Sequence, residues 1–221
     1  MSFPHASIIA LLACAALVSC ESHPTNGVAG SSSATIRVVN ATSQRLDVVT
    51  SGVVSAGNGN LGFGASSACF TFDPTNPDFI LRVTGTTAAL PYAPTGTIVG
   101  GSYTALVIND FGTTQFATLE WGFAPTGGRS ALRVFDAVPL VGNFDVFVSQ
   151  PPSTTASLVF RNMAFGVVTP FFETPAGSTL VQFTNAGTTD VVFDSGAQSL
   201  TAGQSYVLVA AVPSSFLTTK C

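Results

Sequence analysis

Charged side chains are scarce in this chain. Of 221 residues only 7 are Lys or Arg and 11 are Asp or Glu, 8% in all, where globular domains carry about 25%. The few cations are scattered, outnumbered, and leave a formal net charge of −4. No basic stripe exists to neutralise a phosphate backbone, which excludes nucleic acid as a partner. Histidine is scarcer still, since the only two, His5 and His23, precede the β-rich part of the chain. That part has no imidazole, which excludes Ser-His-Asp and Cys-His catalysis and His-ligated metals there. The Gly-rich stretch 55–64, SAGNGNLGFG, lacks the Lys and following helix of a phosphate loop and reads as a strand connection. Helical periodicity is missing beyond an N-terminal apolar run, and no cofactor is implied.

Long apolar runs are equally rare. The single example, Ala6 to Cys20, is shorter than the ~20 residues a bilayer-spanning helix needs and reads as the hydrophobic region of a signal peptide over residues 1–19. Its end, Leu17-Val18-Ser19-Cys20, resembles the lipobox of bacterial lipoproteins, although the opening MSFPH has no Lys or Arg. That resemblance implies diacylglycerol on Cys20 and an acylated new N-terminus, so the membrane becomes a partner through lipid. Several acyl chains anchor stably, at roughly 0.8 kcal/mol per buried methylene. Glu21 after the Cys implies the outer membrane of a Gram-negative bacterium. Residues 20–33, rich in Ser and Gly, form a flexible tether that holds a folded body off that membrane.

What is abundant is short β-rich runs separated by Gly, Pro, Asn and Asp, the spacing of an all-β sandwich. The runs also recur in order. RVVN (37–40) is answered by RVFD (133–136), LDVV (46–49) by FDVF (144–147), GFG (62–64) by AFG (164–166), ILRVTGTT (80–87) by LVQFTNAGTT (180–189), and GGSYTALVI (100–108) by AGQSYVLVA (202–210). Two tandem antiparallel β-sandwich domains follow: 34–124 and 131–221, joined by a linker at 125–130. Residues 103–108 are apolar on both faces, so their strand is expected to lie centrally. Phe63 and Phe165 are expected to be buried where the chain bends, with Gly64 and Gly166 free to take positive φ. Pro175-Ala176-Gly177 and Asp194-Ser195-Gly196 read as turns.

The ordered motifs RV-N/D-A, DV-V, FG, Pro-Ala-Gly-Ser and Gly-x-Ser-Tyr resemble the DUF4397 family of bacterial envelope domains, over most of residues 34–212 and in both repeats. Asn40 and Asp136 stand where that family often has His. The resemblance implies a compact, immunoglobulin-like β-sandwich and no mechanism.

Few residues remain to carry chemistry. Asp47 and Asp145 occupy equivalent strand starts and read as backbone-capping or edge-protecting acids rather than a catalytic pair. Asp73, Asn76 and Asp78 offer oxygen ligands, but three are too few for Ca²⁺, and Pro74 and Pro77 explain that loop as a stiff turn. Trp121, the only Trp, is expected to pack at the seam between the repeats, with a sugar-stacking, ligand-binding role as the alternative. Cys14 leaves with the signal peptide and Cys20 takes lipid, so Cys69 and Cys221 form an even pair in an oxidising compartment. A disulfide between them would staple the C-terminus onto the first repeat; the alternative is a buried Cys69 and a frayed end. The expectation is a non-enzymatic envelope lipoprotein presenting surface to an envelope or extracellular macromolecule. The second expectation is a carbohydrate- or small-ligand-binding protein using the interdomain seam.

Overall fold

The first strand, β1 (Ala34–Asn40), shows why the chain builds layers. Ala34, Ile36 and Val38 face one way, Arg37 and Val39 the other, and apolar residues are buried on both sides. A strand apolar on both faces needs a layer above and below. The computed structural model describes residues 33–221 except 75–77, 91–99, 111–112, 140–141, 154 and 213, and it is all-β with no helix among the described residues. The expected signal peptide, the lipid-bearing Cys20 and nearly all of the tether lie outside the described residues.

After β1 come β2 (Leu46–Thr50), β3 (Phe70–Phe72), β4 (Phe79–Val83), β5 (Ala89–Leu90), β6 (Gly101–Asp110) and β7 (Thr113–Glu120). They make two sheets, ordered β3-β1-β6-β7 and β2-β4-β5. The second half continues with β8 (Arg129–Asp136), β9 (Phe144–Ser149), β10 (Ser157–Met163), β11 (Phe172–Pro175), β12 (Gly177–Asn185), β13 (Val191–Leu200), β14 (Ser205–Ala210) and β15 (Phe216–Thr219). Its sheets are ordered β11-β8-β14-β15 and β10-β9-β12-β13. With β8 in the place of β1, β9 of β2, β11 of β3, β12 of β4, β13 of β5, β14 of β6 and β15 of β7, the two strand orders coincide. β10 alone is an addition.

The agreement extends to single hydrogen bonds. Val38 N–H donates to Ser67 Oγ and Ser67 N–H to the Val38 carbonyl, as Val134 and Thr169 do in the second half. Gly64 N–H donates to the Asn40 carbonyl at 2.8 Å and Gly166 N–H to that of Asp136 at 2.8 Å. Both glycines have positive φ, +72° and +76°, where a Cβ is strained. Phe63 and Phe165, at these bends, are half-buried.

One feature departs from the antiparallel expectation. β1 pairs in parallel with β6 over seven residues, and β8 with β14 over six. The first and penultimate strands of each half run side by side, so each inner sheet is mixed. β6 is central, between β1 and β7, as its two apolar faces require. Asp194-Ser195-Gly196 is no turn but a bulge inside β13. Leu180 faces Ala197 and Gln182 faces Asp194, leaving two β13 residues opposite Val181. Ser195 Oγ accepts the Val181 N–H there at 2.9 Å.

Each half has its own core: Ile36, Val38, Leu46, Leu81 and Val107 in the first, and Val134, Phe144, Val146, Phe183 and Leu208 in the second. A third core lies between the inner sheets. Val39, Leu106, Ile108, Leu119 and Trp121 meet Phe135, Val207 and Val209. Full burial of such side chains contributes about 1.5–3 kcal/mol each, and this shared core is why the described parts of the two halves form one compact unit. The segment expected as a linker is strapped down. Glu173 accepts Thr126 N–H at 2.7 Å and Thr126 Oγ1–H at 2.8 Å, and β8 begins inside the segment at Arg129.

Candidate functional site

Buried acids mark where this apolar chain departs from simple packing. Asp47 and Asp145 both stand on outer-sheet strands and are buried. Asp47 Oδ1 accepts the Asn60 N–H at 2.8 Å and the Thr84 hydroxyl at 2.7 Å, with Arg82 Nε 3.4 Å from Oδ2. Asp145 accepts the Asn162 N–H at 2.9 Å and the Gly187 N–H at 3.0 Å. These backbone donors hold both carboxyls below the usual carboxylate range. Asn60 and Asn162 share φ of +55°, a left-handed conformation that Asn tolerates well. Each Asp thus pins a left-handed corner to its strand, and its lone pairs are engaged by structure. Asp145→Ala is expected to orphan two N–H groups and cost about 2 kcal/mol, read from the urea unfolding midpoint. A midpoint unchanged within error would show that the corner does not depend on the carboxylate.

Only part of the loop with calcium-type ligands is described. Asn76 lies outside the described residues, Asp78 Oδ2 accepts the Ser51 hydroxyl at 3.5 Å, and no group of three acids, Cys or His suited to a metal occurs among the described residues. Cys69 and Cys221 form a disulfide with a Cα–Cα distance of 5.8 Å.

The end of the third core is different. A cleft of about 430 Å³ opens there, lined by Glu120, Gly122, Phe123, Arg133, Pro170 and Phe171. Trp121 lies inside the seam at 5% exposure, its Nε1–H donating to Thr104 Oγ1 at 2.9 Å. Its ring is covered by packing and leaves no face for the sugar stacking weighed as the alternative. Phe123 is 40% exposed and stacks on Phe171 at 5.4 Å and 20°. Arg133 is only 8% exposed, its guanidinium 4.5 Å above the Phe171 ring and 5.6 Å from that of Trp121. Its Nη2 donates to the Glu120 carbonyl at 2.7 Å, while its buried Nε has no partner. Burial pulls its pKa down to about 10, with the Glu120 carboxylate opposing.

The equivalent cation in the first half is Arg37, whose Nη2 lies 3.2 Å from Cys69 Sγ. One arginine is therefore held beside the disulfide and the other at an open cleft. A larger depression, about 630 Å³ on the outer face of the β9-β12 sheet, holds Asp145, Arg161 and Asp190, but its buried acid is already engaged by backbone. Sequence reasoning missed Phe123, Arg133 and Phe171. The available signal was an Arg at an inward position of a strand whose neighbours are all apolar.

The strand β8 that carries Arg133 also opens a recognised domain. Residues 130–220 carry a DUF4397 domain. The matching model is described as a domain of unknown function, and it runs from the second residue of β8 through β15. No match was found among curated proteins. Among solved structures, a leucine-rich repeat protein from Bacteroides thetaiotaomicron aligns at 10% identity, covering 80% of this chain and 26% of its own, with a TM-score of 0.21. This chain spans about a quarter of that protein, and a likeness so weak carries no argument. The cleft thus joins the DUF4397 domain, through Arg133, Pro170 and Phe171, to the end of the first half, through Glu120, Gly122 and Phe123.

Proposed function

We propose that this chain is a non-catalytic envelope lipoprotein, anchored by lipid on Cys20 in the outer membrane of a Gram-negative bacterium, that presents two DUF4397-like domains to an envelope or extracellular macromolecule. The observation that carries the proposal is the Cys69–Cys221 disulfide, whose two residues are exposed. Such bonds persist in oxidising compartments outside the cytoplasm, which agrees with a signal peptide over residues 1–19 that ends just before Cys20. Reading residues 34–124 as a second copy of the domain rests on the coincident strand orders and the matched hydrogen bonds around Asn40 and Asp136. A surface-presenting role rests on Asp47 and Asp145, whose lone pairs are engaged by backbone donors rather than aimed at a substrate.

Cys20→Ala is expected to abolish palmitate labelling and to shift the protein out of the membrane fraction. Labelling that persists in the variant would sink the lipid anchor. Crosslinking on intact cells, with Phe123 or the 73–78 loop altered, then identifies the partner, and turnover of a substrate by purified protein that is lost on changing Asp47 or Asp145 would overturn the non-catalytic role.

A further inference from the structure

We infer that the seam cleft is a binding site for an acidic sugar, a pyranose ring bearing a carboxylate, as found in anionic polysaccharides. The inference deepens the proposed function by naming the class of macromolecule met, and rests on its placing the body outside the cell. Three features of the cleft converge on that ligand. The first is the cation. Arg133 is more than nine-tenths buried; its Nη2 donates to the Glu120 carbonyl, its face lies on the Phe171 and Trp121 rings, and the Glu120 carboxylate is near enough to favour its charge. A desolvated planar cation of this kind favours a carboxylate. The second is the platform. Phe123 presents 40% of its surface to solvent and is backed by Phe171 at a 20° interplanar angle, a flat apolar surface suited to the C–H face of a pyranose. The third is the rim. The exposed side chain of Glu120 is an acceptor without a donor of its own, placed to take sugar hydroxyls.

Space and rigidity agree with this assignment. Gly122 lies on the cleft wall, and a Cβ built there would meet nothing within 4 Å, so the wall is open to a ring. Ser205 Oγ donates to the Phe123 carbonyl at 2.9 Å, which ties the platform to β14 before any ligand arrives and lowers the ordering cost of binding. A peptide C-terminus would also satisfy Arg133 and Phe123, but it lacks the several hydroxyl donors that a sugar ring offers to Glu120 at the rim. The sugar uses all three groups.

The test uses the full chain in mild detergent with its disulfide intact. The probes are a tetragalacturonate, the neutral galactotetraose, and a short peptide ending in Phe with a free carboxylate. Trp121, the only Trp, lies beside Arg133 and reports occupancy by fluorescence, with calorimetry as the second measure. Saturable binding of tetragalacturonate is expected, at least tenfold tighter than galactotetraose or the peptide. Arg133→Lys and Phe123→Ala are each expected to weaken it at least tenfold. Phe123 is exposed enough that its variant tests the platform even where Arg133→Lys fails to fold. Absence of a saturable response at millimolar uronate, equal binding of the neutral sugar, preference for the peptide, or unchanged affinity in Phe123→Ala would each overturn the assignment. The Cys20 labelling result is unaffected by any of these outcomes, so loss of the site and loss of the lipid anchor are told apart.

Discussion

Cys221→Ser, or the double variant Cys69→Ser/Cys221→Ser, is expected to destabilise the folded body more than any other change to a pair of exposed residues. The bond closes a loop of 152 residues, for which the chain-entropy model gives about 5 kcal/mol, against a typical ~2–4 kcal/mol for disulfides generally. Its placement adds to that cost. Cys69 immediately precedes β3, an edge strand of one inner sheet, and Cys221 follows β15, an edge strand of the other. The bond therefore crosses the seam beside the contact where Phe63 meets Phe216 edge-on at 5.5 Å. Gly64 sits against the same ring, and a Cβ there would come within 3.4 Å of it. Without the bond, the end of β15 is held by its ladder to β14, by Leu217 packed on the second core and by this aromatic contact, with no covalent tie to the first half, so the seam is expected to open first from that side. Urea unfolding of the oxidised protein, the reduced protein and the double variant provides the measurement. Reduced and double-variant proteins are expected to coincide, both several kcal/mol below the oxidised form. A shift under about 1 kcal/mol would mean that the third core fixes the halves without help, and that the bond is incidental to stability.

Much of this architecture is legible in the sequence because its strand-forming runs recur in the same order. Strand faces could be assigned from alternation in Thr35–Val39 and Tyr103–Ile108, since period-two patterning decides which side is buried. Counting thiols left Cys69 and Cys221 as the candidate pair, with a buried Cys69 and a frayed end as the alternative, and the structure joins them. Three things were less legible. Parallel pairing of β1 with β6 leaves no mark in composition, because two-sided burial looks the same in either direction. The bulge at Asp194-Ser195-Gly196 has the residues of a turn, and only the pairing of β12 with β13 tells the two apart. The cleft depends on which residues the third core leaves uncovered. Trp121 and Phe123 are two positions apart and both meet Phe171, yet one is sealed and the other open. That difference is made by Phe171 and Arg133 from the other half, which no local pattern places.

Asp136→Asn is expected to stabilise the protein, and to do so only above mildly acidic pH. Asp136 ends β8 in the place where Asn40 ends β1, and both are fully buried. Asn40 is satisfied on every side: its Nδ2 donates to the Gln44 and Leu61 carbonyls at 2.6 and 2.9 Å, and its Oδ1 accepts the Thr42 N–H and hydroxyl, each at 2.8 Å. Asp136 keeps only the last half of that arrangement. Its Oδ1 accepts the Val138 N–H at 2.9 Å, and Oδ2 is buried without a partner. Met163, opposite Phe144, stands where Leu61 stands opposite Leu46, so the node is built for a donor and holds an acid instead. Burial raises the carboxyl to about 6, with the Val138 N–H opposing. The unfolded chain titrates near the free value of about 3.9. Between these two values the folded state binds the extra proton, so stability is greatest below about pH 4 and falls as pH rises through 6. At about 1.4 kcal/mol per unit, the loss complete above pH 7 reaches up to about 3 kcal/mol. Asn carries the donor at every pH and removes this slope. Asp145 and Asp47, with lowered values, contribute the opposite slope at lower pH and are present in both proteins, so the difference between wild type and variant isolates Asp136. Urea midpoints at pH 4 and pH 7.5 are expected to agree for the two proteins at the lower pH and to favour Asp136→Asn at the higher. A variant that gains nothing at pH 7.5, or gains equally at both, would show that the carboxyl finds compensation for its charge within the folded protein.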